Sequence, residues 1–341
     1  MTPAILMAAG ASALIAFAGA GAVAACGPMD RPRPRGSHSI PTATSGGLAV
    51  IAAVGAGLWL SSVLEPGDRV ETIRVALAVA FAGLLGLTGA VDDLYDLGAK
   101  PKLLVQLLAS LAFAWLVARA EALPIGAGEI VLGLPTGIAG SALWLVVVAN
   151  AVNFMDGSDG LAAGSVAIAL AVLALVAALG GSPVLAATSL AGAAALIGFL
   201  PWNLPIGRLF QGDAGSLFGG FLLAALALVG AGADGRGAAP LWLIPTALTP
   251  FLTDVLLTLL VRARQKKRLW DAHREHNYQL WLTATGKSHA ALALRVWALT
   301  AAYALTGAFV PRDLGGATFA VGVLLAAAGW AAMRKRLTTP G

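Results

Sequence analysis

The chain has 341 residues, 58% of them hydrophobic and only 11% charged, with a formal net charge of +5 and a mean hydropathy of +0.83. Soluble domains carry about 25% charged residues, so a water-soluble globule is excluded and an all-α, polytopic integral membrane protein in a lipid bilayer is expected. The basic residues sit in short loops between apolar spans, which speaks against nucleic-acid binding, and a single cysteine, Cys26, excludes an intramolecular disulfide.

A membrane-crossing helix needs about 20 mostly apolar residues. In chain order the candidate spans are 3–25, 47–64, 73–91, 103–120, 136–152, 161–180, 184–201, 216–232, 240–261, 289–309 and 315–333, about eleven in all. VAAC, Val23 to Cys26, has the outline of a lipoprotein cleavage box. No Lys or Arg precedes Arg31, however, so the first stretch reads as a retained span. Pro124 to Pro135 reads as a short hairpin. Connections are short, which predicts one membrane domain over 1–341. The Gly- and Ala-rich spans suit close helix approach and are compatible with a homodimer.

Orientation follows from the basic loops. Taking loops alternately, one side holds Arg31, Arg33, Arg35, Lys100, Lys102, Arg208, the basic run from Arg262 to Lys287, and Arg334 to Arg336. The other holds only Arg69, Arg74, Arg119, Arg236 and Arg312. The rich side is expected to be cytoplasmic, with the N-terminus outside and the C-terminus inside. Every polar cluster falls on that same side: Asp30 to Gly47, Val91 to Lys102, Asn150 to Gly164, Pro201 to Ser216 and Arg262 to Gln279. A channel or transporter should carry polar groups at mid-membrane or at both faces. A one-sided arrangement is that of an active site facing the cytoplasm, and a secondary transporter of phosphorylated solutes is the alternative.

Asn150, Asn153, Asp156 and Asp159 recur at three-residue steps in NAVNFMDGSDGLAAG, so on a continuous helix successive members would share a strip. Ionisable groups at the edge of a membrane helix mark a site by default. Gly157, Gly160 and Gly164 provide for a sharp turn or a close approach. Asp92 and Asp93 end the third span, and Asp96 lies four residues beyond Asp92, on the same helix face. Acids at a helix C-terminus oppose the helix dipole, and crowded carboxylates need a cation or a proton among them. In FQGDAGS, Asp213 stands just before a span, where it serves equally as an N-cap or as a holder of Mg²⁺ beside phosphate. His273 and His276 in HREH are a poor zinc pair, with no cysteine near. In this basic loop they and Arg274 read better as anion contacts. Asp254, within the ninth span, either pairs with a buried partner or joins the site. Together these residues describe a bowl of Asp and Asn ringed by Lys, Arg and His, suited to a Mg²⁺-bound diphosphate.

The pieces SHSIPTATSGG, VDDLYD followed by KLLVQ, NAVNFMDGSDGLAAG, PWN with FQGDAGS, and HREHNYQ resemble, in order, the polyprenyl-phosphate N-acetylhexosamine-1-phosphate transferases, glycosyltransferase family 4. The resemblance covers roughly 30–280. It implies attack by undecaprenyl phosphate on UDP-N-acetylhexosamine, giving undecaprenyl-diphosphate-sugar and UMP at the bacterial cytoplasmic (inner) membrane. It further implies Mg²⁺, replaceable by Mn²⁺, held by Asp213 and Asn153. By the same resemblance Asp92 is the acid–base group supported by Asp93. Lys102, Asp159 and Asn203 contact the nucleotide, and Asp156 shapes the pocket. His276 and His273, with Arg274, meet the diphosphate, while Asn150 and His38 complete the substrate contacts. Peptidoglycan lipid I synthases usually carry adjacent histidines where this chain has HREHNYQ. The chain therefore looks closer to the branch that initiates O-antigen or other surface polysaccharides, often on a modified hexosamine such as N-acetylfucosamine or N-acetylquinovosamine. It departs from the family at Thr44 and Ser45, where a basic residue often precedes the glycines.

Overall fold

The structure, a computed structural model, describes residues 1–30, 41–205, 207–232, 234–269 and 273–338. His38 and the arginines of the loop at 31–40 lie outside the described residues. In chain order the first elements are α1 (Pro3–Cys26), the two-residue strands β1 (Met29–Asp30) and β2 (Thr42–Ala43), α2 (Gly47–Leu64), α3 (Arg69–Tyr95) and α4 (Ala99–Leu116). A hairpin of β3 (Ala122–Ile125) and β4 (Gly128–Val131) leads to α5 (Gly133–Met155), α6 (Leu161–Leu179), α7 (Pro183–Asn203) and α8 (Gly212–Ala231). Then come α9 (Leu243–Ala247), α10 (Thr249–Arg264), α11 (Asn277–Thr285), α12 (His289–Phe309), a 3₁₀ turn (Arg312–Leu314) and α13 (Gly315–Thr338).

Among the described residues, 10 helices are long and apolar enough to cross a membrane, and the all-α polytopic expectation holds. The eleventh expected span, 240–261, does run from the hairpin end, where Trp242 Nε1 donates to Pro124 O at 2.8 Å, to the site end, where Arg262 holds Glu275, but not as one continuous helix. It is broken into the short α9 and the 16-residue α10. Pro250 lies in the first turn of α10; its ring carries no N–H and clashes with the carbonyl four residues back, which kinks or breaks a helix, and here the chain breaks. Elsewhere the ends follow local chemistry. Asp68 accepts from the Glu71 N–H at 2.8 Å to start α3, and Ser288 accepts from the Ala291 N–H at 3.2 Å to start α12. The expected hairpin is present as β3 and β4, paired antiparallel with Ala122 opposite Val131.

The core is α8, 94% of whose most apolar window is shielded by the surrounding helices. It lies against α2, α3, α5 and α6. Two glycines set the closeness of that packing. A β-carbon on Gly89 of α3 would stand 2.3 Å from the Asp213 carbonyl oxygen, and one on Gly47 of α2 would stand 2.1 Å from the Gly215 nitrogen. Both obstacles are backbone, so only hydrogen at these positions lets α2 and α3 reach the start of α8. The loop into α2 is stitched to the same place. Phe210 N–H donates to Ala43 O at 2.8 Å, and Gly46 and Gly47 N–H donate to Phe210 O and Gln211 O, each at 2.9 Å.

Candidate active site

The end of α3, the start of α4, the end of α5 and the start of α8 meet at one end of the bundle. Lys102, in the first turn of α4, puts its Nζ 2.6 Å from Asp92 Oδ2 and 2.7 Å from Asp213 Oδ2. The other oxygen of Asp213 accepts from Asn153 Nδ2 at 2.8 Å, and the same amide group donates to Ser216 Oγ at 2.9 Å. Asp213 is therefore clamped between an ammonium from α4 and an amide from α5. Asp92 Oδ1 is buried with no hydrogen-bond partner.

Asp213 does not cap its own helix, which disposes of one of its two sequence readings. The capping is done by Asp93 from α3, whose Oδ1 accepts from the Asp213 N–H at 2.9 Å. Its Oδ2 accepts from Ser45 Oγ at 3.0 Å and from the Ala214 N–H at 3.4 Å. A carboxylate here satisfies exposed amide groups and faces the positive end of the helix dipole. Neighbouring residues thus have different tasks: Asp93 holds α8 in place, and Asp92 faces Lys102.

Two expectations of helical spacing fail. The strip running Asn150, Asn153, Asp156, Asp159 is interrupted, because α5 ends at Met155 and Asp156 is its C-cap. Only the two asparagines are helical neighbours. Asp96 does not share a face with Asp92; it follows the last turn of α3 in the left-handed region (φ 53) and donates its N–H to Asp92 O at 2.8 Å. Asp96 is a helix stop, exposed at the surface.

Past α5, Asp156 keeps only a minor part of its surface accessible and has protein on nearly all sides. Burial, and after it the charges of Asp213, Asp159 and Asp93, hold its carboxyl well above the usual carboxylate range. Asp159 receives His289, whose Nδ1 lies 3.3 Å from Asp159 Oδ2 and accepts from the Asp159 N–H at 3.1 Å. Asn203 is buried, with both ends of its amide on backbone: Oδ1 accepts from the Gly160 N–H, and Nδ2 donates to Leu209 O at 3.0 Å. Gly160 makes the expected turn (φ 73), whereas the close approach at Gly164 is made by Trp297, 2.1 Å from where a β-carbon would stand. Asn150 turns away from the carboxylates and donates to Gln106 Oε1.

The histidine loop closes the site from another side. Asp254 is buried and paired, which resolves its sequence ambiguity. It accepts from the Asn277 N–H at 2.9 Å, the Tyr278 N–H at 3.4 Å and Trp330 Nε1 at 2.8 Å, fixing the start of α11. Tyr278 OH reaches Phe154 O at 3.0 Å and ties that start to the end of α5. His276 stacks on His273, ring centres 4.9 Å apart, and lies 6.0 Å from the Phe154 ring. Both nitrogens of His276 and Nε2 of His273 are buried and have no protein partner. Burial lowers both imidazoles, despite the Asp254 charge near His276. For His273, with the charge of His276 added, the value falls to about 4. The pair therefore meets a ligand as neutral hydrogen-bonding rings. Arg274 is exposed, whereas Arg262 is buried and holds Glu275 at 2.7 Å.

Sequence reasoning missed Ser216, Gln106, His289 and Trp297. Gln106 was within reach, since it stands four residues after Lys102 and shares its helix face. His289 and Trp297 carried no local signal, because their partners are 130 and 137 residues away.

A bundle of helices long and apolar enough to cross a membrane, with a partly buried cluster of carboxylates and a lysine at one end, is that of an integral membrane protein with a polar site at one face. Residues 73–231 match the model of glycosyl transferase family 4. A probable undecaprenyl-phosphate N-acetylglucosaminyl 1-phosphate transferase of Bacillus subtilis is 35% identical over 206 residues, which is 60% of this chain and 56% of that protein. A decaprenyl-phosphate N-acetylglucosaminephosphotransferase of Mycobacterium tuberculosis is 31% identical over 320 residues, covering 84% of this chain and 78% of that protein. A phospho-N-acetylmuramoyl-pentapeptide-transferase of Enterococcus hirae is 32% identical over 200 residues, 55% of this chain and 61% of that one. The chain belongs to glycosyl transferase family 4, as a polyprenyl-phosphate sugar-1-phosphate transferase.

Proposed function

We propose that the protein transfers N-acetylhexosamine 1-phosphate from a UDP-N-acetylhexosamine to undecaprenyl phosphate, releasing UMP and initiating an O-antigen or other envelope polysaccharide. The site faces the cytoplasm of a bacterial inner membrane, as the asymmetry of the basic loops supports. The observation that carries the reading is the Lys102 ammonium lodged between Asp92 and Asp213, with Asn153 on the remaining oxygen. A phosphate oxygen of the lipid attacks the β-phosphorus and forms a new P–O bond. The bond from that phosphorus to the bridging oxygen breaks, and UMP leaves with the oxygen and its electron pair. Such a transfer needs charge neutralisation and in-line positioning more than a covalent catalyst.

Lys102 supplies a fixed positive charge at the reacting phosphates. Asp92, half-engaged by Lys102 and with Oδ1 unpartnered, is the group able to take a proton from the lipid phosphate. Asp156, its carboxyl raised by burial and by the charges of Asp213, Asp159 and Asp93, shapes the same pocket. The neutral His273 and His276 offer hydrogen bonds to the sugar phosphate. The donor set fits Mg²⁺, with Mn²⁺ as a substitute. Asp213 and Asn153 offer hard oxygen atoms, and Asp92 Oδ1 is a buried oxygen with no partner. Among the described residues there is no cluster of three or more His, Cys, Asp or Glu able to hold a metal unaided. Mg²⁺ usually keeps several waters and is bound through one or two carboxylates plus substrate phosphates. When bound, it would neutralise charge on the diphosphate.

The relatives named for N-acetylglucosamine make UDP-N-acetylglucosamine the first sugar to test. The likeness to the Enterococcus hirae protein keeps lipid I synthesis as the second reading. The deciding experiment mixes purified protein, Mg²⁺, undecaprenyl phosphate and single UDP-sugars, and measures UMP. Release with a simple UDP-N-acetylhexosamine is expected. Release only with the UDP-muramoyl-pentapeptide would favour the second reading, and release with none would overturn both.

A further inference from the structure

Deep to the carboxylate cluster lies a polar pair that the proposed chemistry leaves unused. Asn150 of α5 donates from Nδ2 to Gln106 Oε1 on α4 and, at 2.8 Å, to Val146 O of its own helix. Gln106 is 3% exposed, within a face of α4 that otherwise buries Ala109, Ser110, Phe113 and Ala114. A buried side-chain amide inside a membrane bundle is costly unless paired, so the bond is kept against the pull of an all-apolar interface.

Position gives the pair its meaning. Gln106 follows Lys102 by one helical turn, about 6 Å along the axis, and Asn150 precedes Asn153 by three residues on the same face of α5. Chain direction is opposite in the two helices, since α4 leaves the site and α5 returns to it. The contacts form two rungs. In the upper rung Asp213 bridges Lys102 on α4 and Asn153 on α5; in the lower, Gln106 and Asn150 join the helices directly. The upper rung is made of groups that must exchange partners when a diphosphate arrives. The lower rung touches none of them and need not open.

We infer that Gln106 and Asn150 are positioning residues. Their bond fixes the α4–α5 separation and rotation, so that Lys102 stays between Asp92 and Asp213 while the upper rung changes partners. Asn150 thereby acts through Lys102 and Asn153 rather than on substrate. This rests on the preceding reading that Lys102 and Asp213 act on the diphosphate.

The test uses the full chain in detergent or nanodiscs, with Gln106→Leu, Asn150→Leu, the double variant, and the exchange variant Gln106→Asn/Asn150→Gln. A misplacement of about 1 Å costs on the order of 100-fold in rate, so each Leu variant should lose about 10-fold to 100-fold in kcat while KM for the UDP-sugar changes little. The double should be no worse than the worse single, because both remove one bond, and the exchange variant should recover most of kcat. Acylation of Lys102 by an amine-reactive reagent, followed by peptide mass spectrometry, should be several-fold faster in both Leu variants. Unchanged Lys102 reactivity, losses that multiply in the double, or a change confined to KM would overturn the inference. A wild-type protein that releases no UMP would sink the functional reading instead, and the acylation measurement would still judge the pair.

Discussion

Replacing Lys102 by Met removes the one charge that separates Asp92 from Asp213. The two facing oxygens are at most 5.3 Å apart, the sum of the 2.6 Å and 2.7 Å contacts. With an effective dielectric of about 20, two unit charges at that distance repel by about 3 kcal/mol. The three side chains are only 20%, 12% and 26% exposed, so solvent relieves little of this. If Lys102 neutralises the reacting phosphates, the same order of energy is missing from the transition state, about a 100-fold fall in kcat. The carboxylates, now uncompensated, should draw a divalent cation more strongly, so the Mg²⁺ concentration giving half-maximal activity should fall. Loss of turnover with tighter metal use is a signature that mere misfolding would not produce. The assay is UMP release across a Mg²⁺ titration, on protein whose melting temperature has been checked. A variant that keeps half its turnover, or one that needs more Mg²⁺, would refute the reasoning.

Activity in excess EDTA should be lost and restored by Mg²⁺ or Mn²⁺; full activity in chelator would remove the metal from the proposal. Gly89→Ala places a β-carbon 2.3 Å from the Asp213 carbonyl, forcing α3 off α8 at a cost of about 1–3 kcal/mol. A lower melting temperature and loss of UMP release are expected, and an unchanged melting temperature would show that the helices can part freely. His273 is held at about 4 against an ordinary 6.5, so the unfolded chain takes up a proton that the folded ring refuses. Its contribution to stability is full above about 6.5 and is lost as pH falls from there toward 4. The melting temperature should drop over that window and drop less in His273→Gln; equal profiles for the two proteins would reject the assignment. A reporter fused after Arg336 should report the cytoplasm, and an extracytoplasmic signal would invert the orientation.

The spans were legible because lipid demands length and apolarity, and both are written locally. The starts of α2, α6 and α12 coincide with those expected at 47, 161 and 289. The break within the ninth was not legible, because hydropathy does not register that Pro250 lacks an N–H. Within the site, the residue types were legible and their contacts were not. The period-three pattern from Asn150 to Asp159 looks helical because spacing alone cannot reveal that α5 stops at Met155. Asp93 is adjacent to Asp92, and nothing local indicates that one of them meets the N–H groups of a helix 120 residues on. The protonation state of the histidines was illegible for a related reason. The loop around them is basic in sequence, but burial, which depends on the whole fold, keeps both imidazoles neutral.

The acids divide into those that hold helices and those left to do chemistry, and the division has a physical order. Asp93 satisfies the first amides of α8, and Asp254 those of α11. Each converts a helix start, with its unpaired N–H groups, into a fixed point beside the site. With those ends secured, Asp92 and Asp213 can stand close with only Lys102 between them. No backbone amide competes for Asp213, because Asp93 already holds the N–H groups at the start of α8. The same logic explains why the polar groups collect at helix ends. There a carboxylate finds free amides and water, whereas deeper in the bundle the side-chain amides of Gln106 and Asn150 pair with each other. An Asp93→Asn variant should therefore injure turnover through the placement of Asp213, with a fall in melting temperature that Asp92→Asn does not share; equal melting temperatures would remove the distinction between the two neighbours.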